Sequence, residues 1–363
     1  MKHNWEYKRL GDICDLYQPK TIAASELVED GEYDVYGANG IIGKFTRYNH
    51  EFPEILLTCR GATCGTINIS NPKSWINGNA MVIHSKSSEL SFAYLKYAMT
   101  ALDYSNIITG AAQPQITRQS LAPTNIPLPP MEVQEQIVAE LDKINETIED
   151  CRELLCNLDA LAQSLFYDFF GDPIANPKCW KTKPIKSIAP SGESFLEPQE
   201  LDGKFWLLNL EQVESNSGRI LEIEYFPIEN IGSSTVNFDE GNVLYSKLRP
   251  YLNKVVIPYG RGYCTSELIP LRPNQDYVSR EYIAYALRLP EFVKFISAKT
   301  GGAKMPRVKM QHFWNFQMPV PPLELQKKFA ERIEQIEAQK KTVENTIAEL
   351  QTLLDSRMDY WFN

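Results

Sequence analysis

The stretch Ile126-Pro-Leu-Pro-Pro-Met-Glu-Val-Gln-Glu-Gln-Ile137 returns 192 residues later as Met318-Pro-Val-Pro-Pro-Leu-Glu-Leu-Gln-Lys-Lys-Phe329. The correspondence runs without a gap from residues 110–134 to residues 302–326. The identical pairs include Gly110/Gly302, Pro114/Pro306, Gln119/Gln311, Pro127/Pro319, Pro129/Pro321, Pro130/Pro322, Glu132/Glu324 and Gln134/Gln326. Proline cannot donate a hydrogen bond within a sheet but is tolerated in the first helical turn. Each copy therefore predicts a strand end followed by a helix start, and the repeat indicates that one ancestral unit was duplicated.

Both copies continue into a long heptad pattern, in which apolar residues alternate spacings of four and three. The first copy has Ile137, Leu141, Ile144, Ile148, Cys151, Leu155, Leu158, Ala162, Leu165 and Phe169. The second has Phe329, Ile333, Ile336, Lys340, Val343, Ile347, Leu350, Leu354, Arg357 and Trp361. We expect two helices of about 40 residues, about 60 Å long, that form an antiparallel coiled coil. Polar Lys340 and Arg357 interrupt the second pattern, as residues that fix register often do. The alternative is that each helix packs only on its own domain.

The predicted fold class is α+β. Two β-rich modules with small helices are separated by the two long antiparallel helices, with an approximate two-fold axis that follows from the duplication. We place the first module at residues 1–128 and the central helix at 129–171. The second module covers residues 172–320 and the C-terminal helix covers 321–363.

The net charge of −9 is spread unevenly along the chain. Residues 1–130 carry 11 basic and 12 acidic side chains, and residues 171–322 carry 18 and 16. Residues 131–170 carry 2 basic and 10 acidic side chains, and residues 323–363 carry 6 and 8. The excess acid therefore belongs to the helices. The overall acidity does not exclude DNA contact by the nearly neutral modules.

Composition indicates a soluble globular protein, with 43% hydrophobic and 23% charged residues among 363. No apolar run reaches the ~20 residues of a membrane span, and the first ten residues lack a signal-peptide core, so we expect a cytoplasmic protein. The seven cysteines lack the second pair that a zinc site needs, and we expect reduced, structural thiols.

Candidate DNA-binding residues lie in polar segments next to predicted strands. In the first module, Asn39 lies in a Gly-rich turn, and Arg60 and Thr63 belong to an Arg-Gly-Ala-Thr segment after a strand. Arginine suits guanine or phosphate, although a solvated turn explains Arg60 equally well. The lead-in to the repeat adds Gln113, Gln115, Thr117 and Arg118. Glutamine can pair bidentately with adenine.

The second module offers two comparable segments. Tyr245, Lys247, Arg249, Tyr251 and Asn253 alternate as one face of a strand would, provided that the strand extends that far. We take Lys247, Arg249 and Tyr251 as DNA-binding candidates. The repeat partner of the first lead-in is more basic and has no acid, and it adds Lys299, Lys304, Arg307 and Lys309.

Motifs for catalysis are missing from the sequence. We find no Asn/Asp-Pro-Pro-Tyr/Phe tetrapeptide for amino methylation of a base and no phosphate-binding loop of the G-x-x-x-x-G-K-[ST] type. No motif suggests a catalytic triad or a metal site. We therefore assign no catalytic, cofactor-binding or metal-binding residues, and expect any chemistry to reside on partner proteins.

The sequence resembles the specificity (S) subunits of type I restriction–modification systems. The repeated Pro-Pro segments carry the resemblance, together with the Gly-Ala-Ala-Gln-Pro-Gln-Ile lead-in at residues 110–116. The opening Trp5-Glu-Tyr-Lys-Arg-Leu-Gly-Asp-Ile and the Leu-Tyr-Ser-Lys-Leu-Arg-Pro-Tyr segment at 244–251 are also similar to the family. The resemblance covers essentially the whole chain.

The resemblance implies a non-catalytic recognition subunit of an adenine-specific DNA methyltransferase and type I restriction endonuclease complex. Each module would read one half of a bipartite site in double-stranded DNA, and the helices would set the spacing and dock two methyltransferase (M) subunits. Those partners would hold S-adenosylmethionine, while restriction/translocase (R) subunits would use ATP and Mg²⁺. This chain would bind no cofactor.

Two other functions remain open from the residues alone. One is a methyltransferase or nuclease fragment whose motif is not visible, which methyl transfer by the chain alone would reveal. The other is a coiled-coil protein–protein scaffold that does not read DNA. Salt-dependent, sequence-selective binding to bipartite duplexes would exclude the scaffold.

Overall fold

The computed structural model describes residues 5–110, 114–194, 196–302 and 304–363. The chain divides into two compact units. Unit 1 comprises Met1–Cys151 and Thr346–Asn363, and unit 2 comprises Arg152–Asn345. Each unit therefore combines one globular module with a segment from each of the two long helices.

Unit 1 is built from short strands, small helices and parts of both long helices. Its strands are β1 (Glu6–Arg9), β2 (Cys14–Tyr17), β3 (Tyr33–Gly37), β4 (Gly40–Phe45), β5 (Ile55–Thr58), β6 (Ile67–Ile69), β7 (Trp75–Ile76), β8 (Ala80–Ser85) and β9 (Asn125–Leu128). Its helices are α1 (Leu10–Ile13), α2 (Phe92–Ala101), α3 (Arg118–Leu121), the first half of α4 (Met131–Phe170) and the last part of α9 (Leu323–Phe362). The strands form one sheet in the order β2-β8-β5-β6, another in the order β4-β3-β7, and a β1–β9 ribbon.

Unit 2 has the same kinds of element. Its strands are β10 (Thr182–Pro184), β11 (Glu200–Leu201), β12 (Lys204–Leu208), β13 (Tyr225–Pro227), β14 (Val236–Phe238), β15 (Val243–Ser246), β16 (Val255–Val256), β17 (Gly262–Cys264), β18 (Leu268–Leu271), β19 (Thr300–Gly301), β20 (Arg307–Val308) and β21 (Gln317–Pro319). Its helices are the second half of α4, α5 (Ile185–Ile188), α6 (Arg280–Arg288), α7 (Pro290–Ser297), α8 (Met310–Trp314) and the first part of α9. The main sheets have the orders β11-β12-β17-β14, with β13 on β12, and β16-β15-β18.

The predicted strand end and helix start occur in both units. In unit 1, β9 pairs antiparallel with β1, and Ile126 lies opposite Lys8. In unit 2, β21 pairs antiparallel with β10, and Met318, the repeat partner of Ile126, lies opposite Lys183. The two long helices, each of 40 residues, then begin at Met131 and Leu323.

A buried glutamine fastens each long helix to its module. The side chain of Gln134 is inaccessible to solvent. Its Nε2 donates to the carbonyl oxygens of Glu89 (2.7 Å) and Pro129 (2.9 Å), and its Oε1 accepts from the amide of Ser91 (2.9 Å). The amide of Ser91 lies at the start of α2, where it has no partner within the helix. One side chain therefore joins the Pro-Pro segment, α2 and α4.

Gln326 repeats this arrangement in unit 2. It is equally buried, and its Nε2 donates to the carbonyls of Tyr277 (2.9 Å) and Pro321 (2.8 Å). Its Oε1 accepts from the amide of Ser279 (2.8 Å), which precedes α6. The shared contacts with the chain before α2 or α6 and with a repeat proline show that the two modules share a common frame.

The two long helices pack antiparallel within unit 2. Phe170 near the end of α4 contacts Phe329 near the start of α9, with ring centroids 5.1 Å apart. Farther along α9, Lys340 bonds Asp159, which lies earlier on α4. Both helices also pack on α6 of the module. Phe166 of α4 stacks on Tyr282, with ring centroids 5.5 Å apart, and Phe329 of α9 meets Tyr285 edge to face at 5.5 Å. Helix pairing and packing on the module therefore occur together.

The buried positions that the heptad pattern predicts are wrong at the end of α4. Leu165 and Phe169 are only partly buried, whereas Phe166 and Phe170 are buried. The buried positions follow Ala162 in steps of four residues, because the aromatic core of the module, not the facing helix alone, covers this part of α4. A straight α-helix with 3.6 residues per turn accommodates such steps.

The two polar interruptions on α9 are each matched by acids. In unit 2, the buried Lys340 ammonium contacts Asp159 (2.8 Å) and Glu337 (3.1 Å). In unit 1, the Arg357 guanidinium forms a bidentate pair with Glu140 of α4, which also accepts from the indole of Trp361 (3.0 Å). Because each cation needs an acid at one position of the facing helix, these pairs oppose any slip in register.

The described residues contain no helix long and apolar enough to cross a membrane. Within the same residues, no group of three or more His, Cys, Asp or Glu side chains is arranged to hold a metal ion. The cysteines are unpaired thiols, of which Cys14, Cys59 and Cys264 are buried. Burial raises the pKa of Cys14 and Cys264 to about 12, so both remain protonated at neutral pH.

The Gln326→Ala substitution should lower the free energy of unfolding by about 2–4 kcal/mol, because it leaves buried amide and carbonyl groups without partners. Urea unfolding of the variant measures this loss as a shift in the midpoint. Gln335→Ala, at an exposed position of the same helix, is the matched control and should shift the midpoint little. Equal shifts in the two variants would contradict the role assigned to Gln326.

Candidate nucleic-acid interface

Backbone pairing in unit 1 brings two separate candidate segments together. Thr109 and Gln115 form an antiparallel bridge that closes a short loop, and Arg60 bridges to the same Gln115. The amide of Gly61 donates to the carbonyl of Pro114 (3.1 Å), and the amide of Ile116 donates to that of Cys59 (3.0 Å). These contacts join residues 59–61, which follow β5, and Thr109 to residues 114–116. We call this contact region the junction of unit 1. It exposes the side chains of Arg60 and Gln115.

Unit 2 builds the same junction from equivalent residues. Gly301 pairs with Arg307 between β19 and β20, and Leu248 bridges to Arg307. The amide of Arg249 donates to the carbonyl of Pro306 (2.7 Å), and the amide of Val308 donates to that of Lys247 (2.9 Å). The residues correspond through the 192-residue shift of the repeat, in the pairs Thr109/Gly301, Pro114/Pro306, Gln115/Arg307 and Ile116/Val308. The main-chain geometry is thus repeated while the side chains differ.

The remaining candidates of unit 1 lie near its junction or support it. Asn39 is an exposed residue in the turn between β3 and β4. The carbonyl of Ala38, next to Asn39, accepts a hydrogen bond from the hydroxyl of Thr58. This bond fastens the turn to a residue that lies two positions before Arg60. Thr63 is exposed in the turn that follows Arg60. Gln113 lies outside the described residues.

Thr117 and Arg118 start the short helix α3. The hydroxyl of Thr117 accepts from the amide of Ser120 (3.1 Å), so this side chain caps the helix. A capping hydroxyl is committed to its own backbone, and Thr117 therefore contributes chiefly to the shape of the loop. Arg118 is the first residue of α3 and is exposed.

The extended strand proposed for residues 245–253 is wrong. Strand β15 ends at Ser246, and a single 3₁₀ turn spans Pro250–Leu252. Tyr245 is buried and stacks on Phe313 with ring centroids 4.4 Å apart, so it does not share a surface with Tyr251, which is 54% exposed. The fixed φ of Pro250 and its missing N–H favour the turn over a strand.

The basic loop of unit 2 contains both solvated and paired cations. Lys304 and Lys309 are exposed, and Lys299 is partly exposed. Arg307, by contrast, forms an ion pair with Glu267, with Nη2 2.9 Å from Oε1 and Nε 3.2 Å from the same oxygen. This hydrogen bond raises the pKa of Arg307. The positive charge of Arg307 is therefore already compensated by Glu267.

Glu267 is a residue that sequence reasoning missed. It precedes β18 and is 40 residues from Arg307, and no pattern in the sequence connects the two. The repeat did contain a signal for Gln134 and Gln326, since both are identical at equivalent positions. Their role as frame residues became visible only through their buried contacts.

The model of the type I restriction modification DNA specificity domain matches residues 2–154 and 177–352. The chain belongs to this family. Type I restriction enzyme MjaVIII specificity subunit of Methanocaldococcus jannaschii is 22% identical over 92% of this chain and 86% of its own length. The EcoDI specificity subunit of Escherichia coli is 23% identical over 50% of this chain and 40% of its own length. The chain is thus a type I specificity subunit by sequence.

Solved structures show that the fold is shared as well. The type I restriction–modification S subunit from M. genitalium covers 99% of this chain and 96% of its own, with a TM-score of 0.58 and 14% identity. A structure that describes complex assembly and conformational transition of the type I system covers 98% and 96%, with a TM-score of 0.54 and 19% identity. The predicted α+β fold of a specificity subunit is confirmed.

The Glu267→Gln substitution should increase affinity for duplex DNA roughly two- to fivefold, because it releases the Arg307 guanidinium from its ion pair. Fluorescence anisotropy with a labelled duplex, measured across a range of salt concentrations, tests this. Glu229→Gln makes the same change of charge at an exposed acid of unit 2 and should have a smaller effect. A decrease in affinity for Glu267→Gln would show that the ion pair is needed to shape the loop.

Proposed function

We propose that this specificity subunit reads a bipartite site in double-stranded DNA, with one half-site contacted by each module. The observation that carries the proposal is the junction, which has the same main-chain bonds in both units but exposes different side chains. Base readout requires polar side chains held at fixed positions against a groove. A repeated frame with divergent side chains fits two readers of two different sequences.

We propose target-recognition modules at residues 1–128 and 172–320. The first would contact DNA through Asn39, Arg60, Thr63, Gln113, Gln115, Thr117 and Arg118. The second would use Lys247, Arg249, Tyr251, Lys299, Lys304, Arg307 and Lys309. Thr117 caps α3 and Arg307 is paired with Glu267, so these two residues would also shape the contact surface.

We further propose that the long helices dock two methyltransferase subunits. Leu161 on α4 and its repeat partner Leu353 on α9 are 47% and 46% exposed, so both helices present an apolar side chain at the equivalent position. The two leucines belong to different units, which supports two equivalent docking points. S-adenosylmethionine would be bound by those partners, and ATP and Mg²⁺ by restriction subunits. The specificity subunit would position the DNA and perform no chemistry itself.

Methylome sequencing of a host that carries this gene and its methyltransferase gene identifies the site. The purified complex should then bind the bipartite duplex with a steep salt dependence and should lose affinity when either half is scrambled. Lys304→Ala should weaken binding to a duplex that retains only the second half-site, and lower its salt slope by about one. Lys204→Ala, at an exposed lysine of unit 2, is the control.

Two results would contradict the reading function. Binding that is indifferent to scrambling of both halves would indicate a protein scaffold that does not read DNA. Equal weakening of both half-sites by Lys304→Ala would assign that lysine a general role and remove the proposed division between the modules.

The helices should also set the distance between half-sites. One heptad inserted after Cys151 in α4 and another after Asn345 in α9 would add about 10 Å to each helix. The Lys340–Asp159 and Arg357–Glu140 pairs would remain within their own units. The preferred spacer should lengthen by about three base pairs, at 3.4 Å each, with unchanged half-sites. Methylome sequencing detects this change, and a fixed spacer with altered half-sites would contradict it.

A further inference from the structure

Arg249 occupies a backbone position that glycine occupies in the other module. The Arg249 amide donates to the carbonyl of Pro306, and the amide of Gly61 donates to that of Pro114, the repeat partner of Pro306. In both junctions the preceding residue forms a β-bridge to the loop: Arg60 bridges to Gln115, and Leu248 bridges to Arg307. The two positions are therefore structurally equivalent.

The position requires a left-handed backbone, since φ is +86° at Gly61 and +47° at Arg249. Residues other than glycine rarely adopt this conformation and pay for it in free energy. At Gly61 a side chain would meet no atom within 4 Å, so space does not explain the glycine there. An arginine at the equivalent place is strained, and such strain persists where the side chain has a task.

The guanidinium of Arg249 has no acidic partner among the residues that the structure describes. Its Nε is buried and makes no hydrogen bond. Elsewhere in unit 2, Arg219, Arg272 and Arg307 all pair with carboxylates. Lys247, two residues earlier, likewise has no carboxylate partner among the described residues. The junction thus holds two uncompensated cations at a place where the third, Arg307, is neutralised.

We propose that Arg249 anchors a phosphate of the second half-site, and that the strained backbone is retained to hold its guanidinium in place. This inference rests on the proposed DNA-reading function. A phosphate is the ligand that fits, because a fixed guanidinium beside a second cation binds an anionic oxygen whatever the base sequence is. Arg60, the residue before Gly61, is the exposed cation at the junction of unit 1.

The test replaces Arg249 by the residue that the other module uses. Arg249→Gly should leave the unfolding temperature unchanged or raise it, because glycine relieves the strain. The same variant, assembled with its methyltransferase subunits, should bind the bipartite duplex roughly tenfold or more weakly. Its salt slope should fall by about 0.9, and the methylated sequence should stay the same. Arg249→Lys, which keeps the charge, should recover part of the affinity.

Asn216→Gly is the matched control, because Asn216 is an exposed residue of unit 2 with φ of +69°. It makes the same change to glycine at a left-handed position, where asparagine is less strained than arginine, and should leave DNA binding unchanged. A lower unfolding temperature with normal DNA binding in Arg249→Gly would show that Arg249 is structural and overturn the proposal. Relaxed recognition at one base pair would assign the guanidinium to a base, which also overturns it. Absence of sequence-selective binding by the unmodified complex would instead defeat the proposed function.

Discussion

The buried amide of a glutamine is the interaction on which each half of this protein depends. Gln134 and Gln326 use both the donor and the acceptor of their side chains, and bind only main-chain atoms. Two further hydrogen bonds tie the same elements together, one in each unit, from the hydroxyl of Tyr94 to the carbonyl of Pro127 and from that of Tyr282 to the carbonyl of Pro319. Since a buried polar group is costly when unpaired, the long helix, the Pro-Pro segment and the helix of the module must come together as one arrangement.

Some of the acidic residues on the long helices form ion pairs between the helices. The excess acid of the chain lies on the long helices. Two of those acids, Glu140 and Asp159, meet the two cations that interrupt the apolar pattern of α9. Hydrogen bonds from Arg357 and Trp361 lower the pKa of Glu140, outweighing the opposite effect of burial. Apolar heptads allow several registers, whereas a half-buried ion pair allows one. Burial of apolar residues therefore holds the two helices together, and the ion pairs select their register.

The sequence was informative wherever an argument could be made from neighbouring residues. The proline segments predicted the strand ends and helix starts, and heptad spacing predicted the helices, because both signals are local. The strand assigned to residues 245–253 failed because alternation continued past Ser246 while Pro250 turned the chain. Glu267 could not be anticipated, since its contact with Arg307 joins residues 40 positions apart. The left-handed backbone at Arg249 also escaped prediction, because a residue before proline ordinarily favours an extended backbone.

The division of the long helices between the units has a consequence for the order of folding. Leu354, Met358, Trp361 and Phe362 are partly buried and pack against the core of unit 1, and Trp361 stacks on Trp5 with ring centroids 5.9 Å apart. These residues are synthesised after every residue of unit 2. During translation, the first module emerges from the ribosome early, but part of its core stays uncovered until the last turns of α9 have been made. Unit 2, whose residues are continuous in the sequence, can complete its core first, so the order of maturation is the reverse of the order of synthesis.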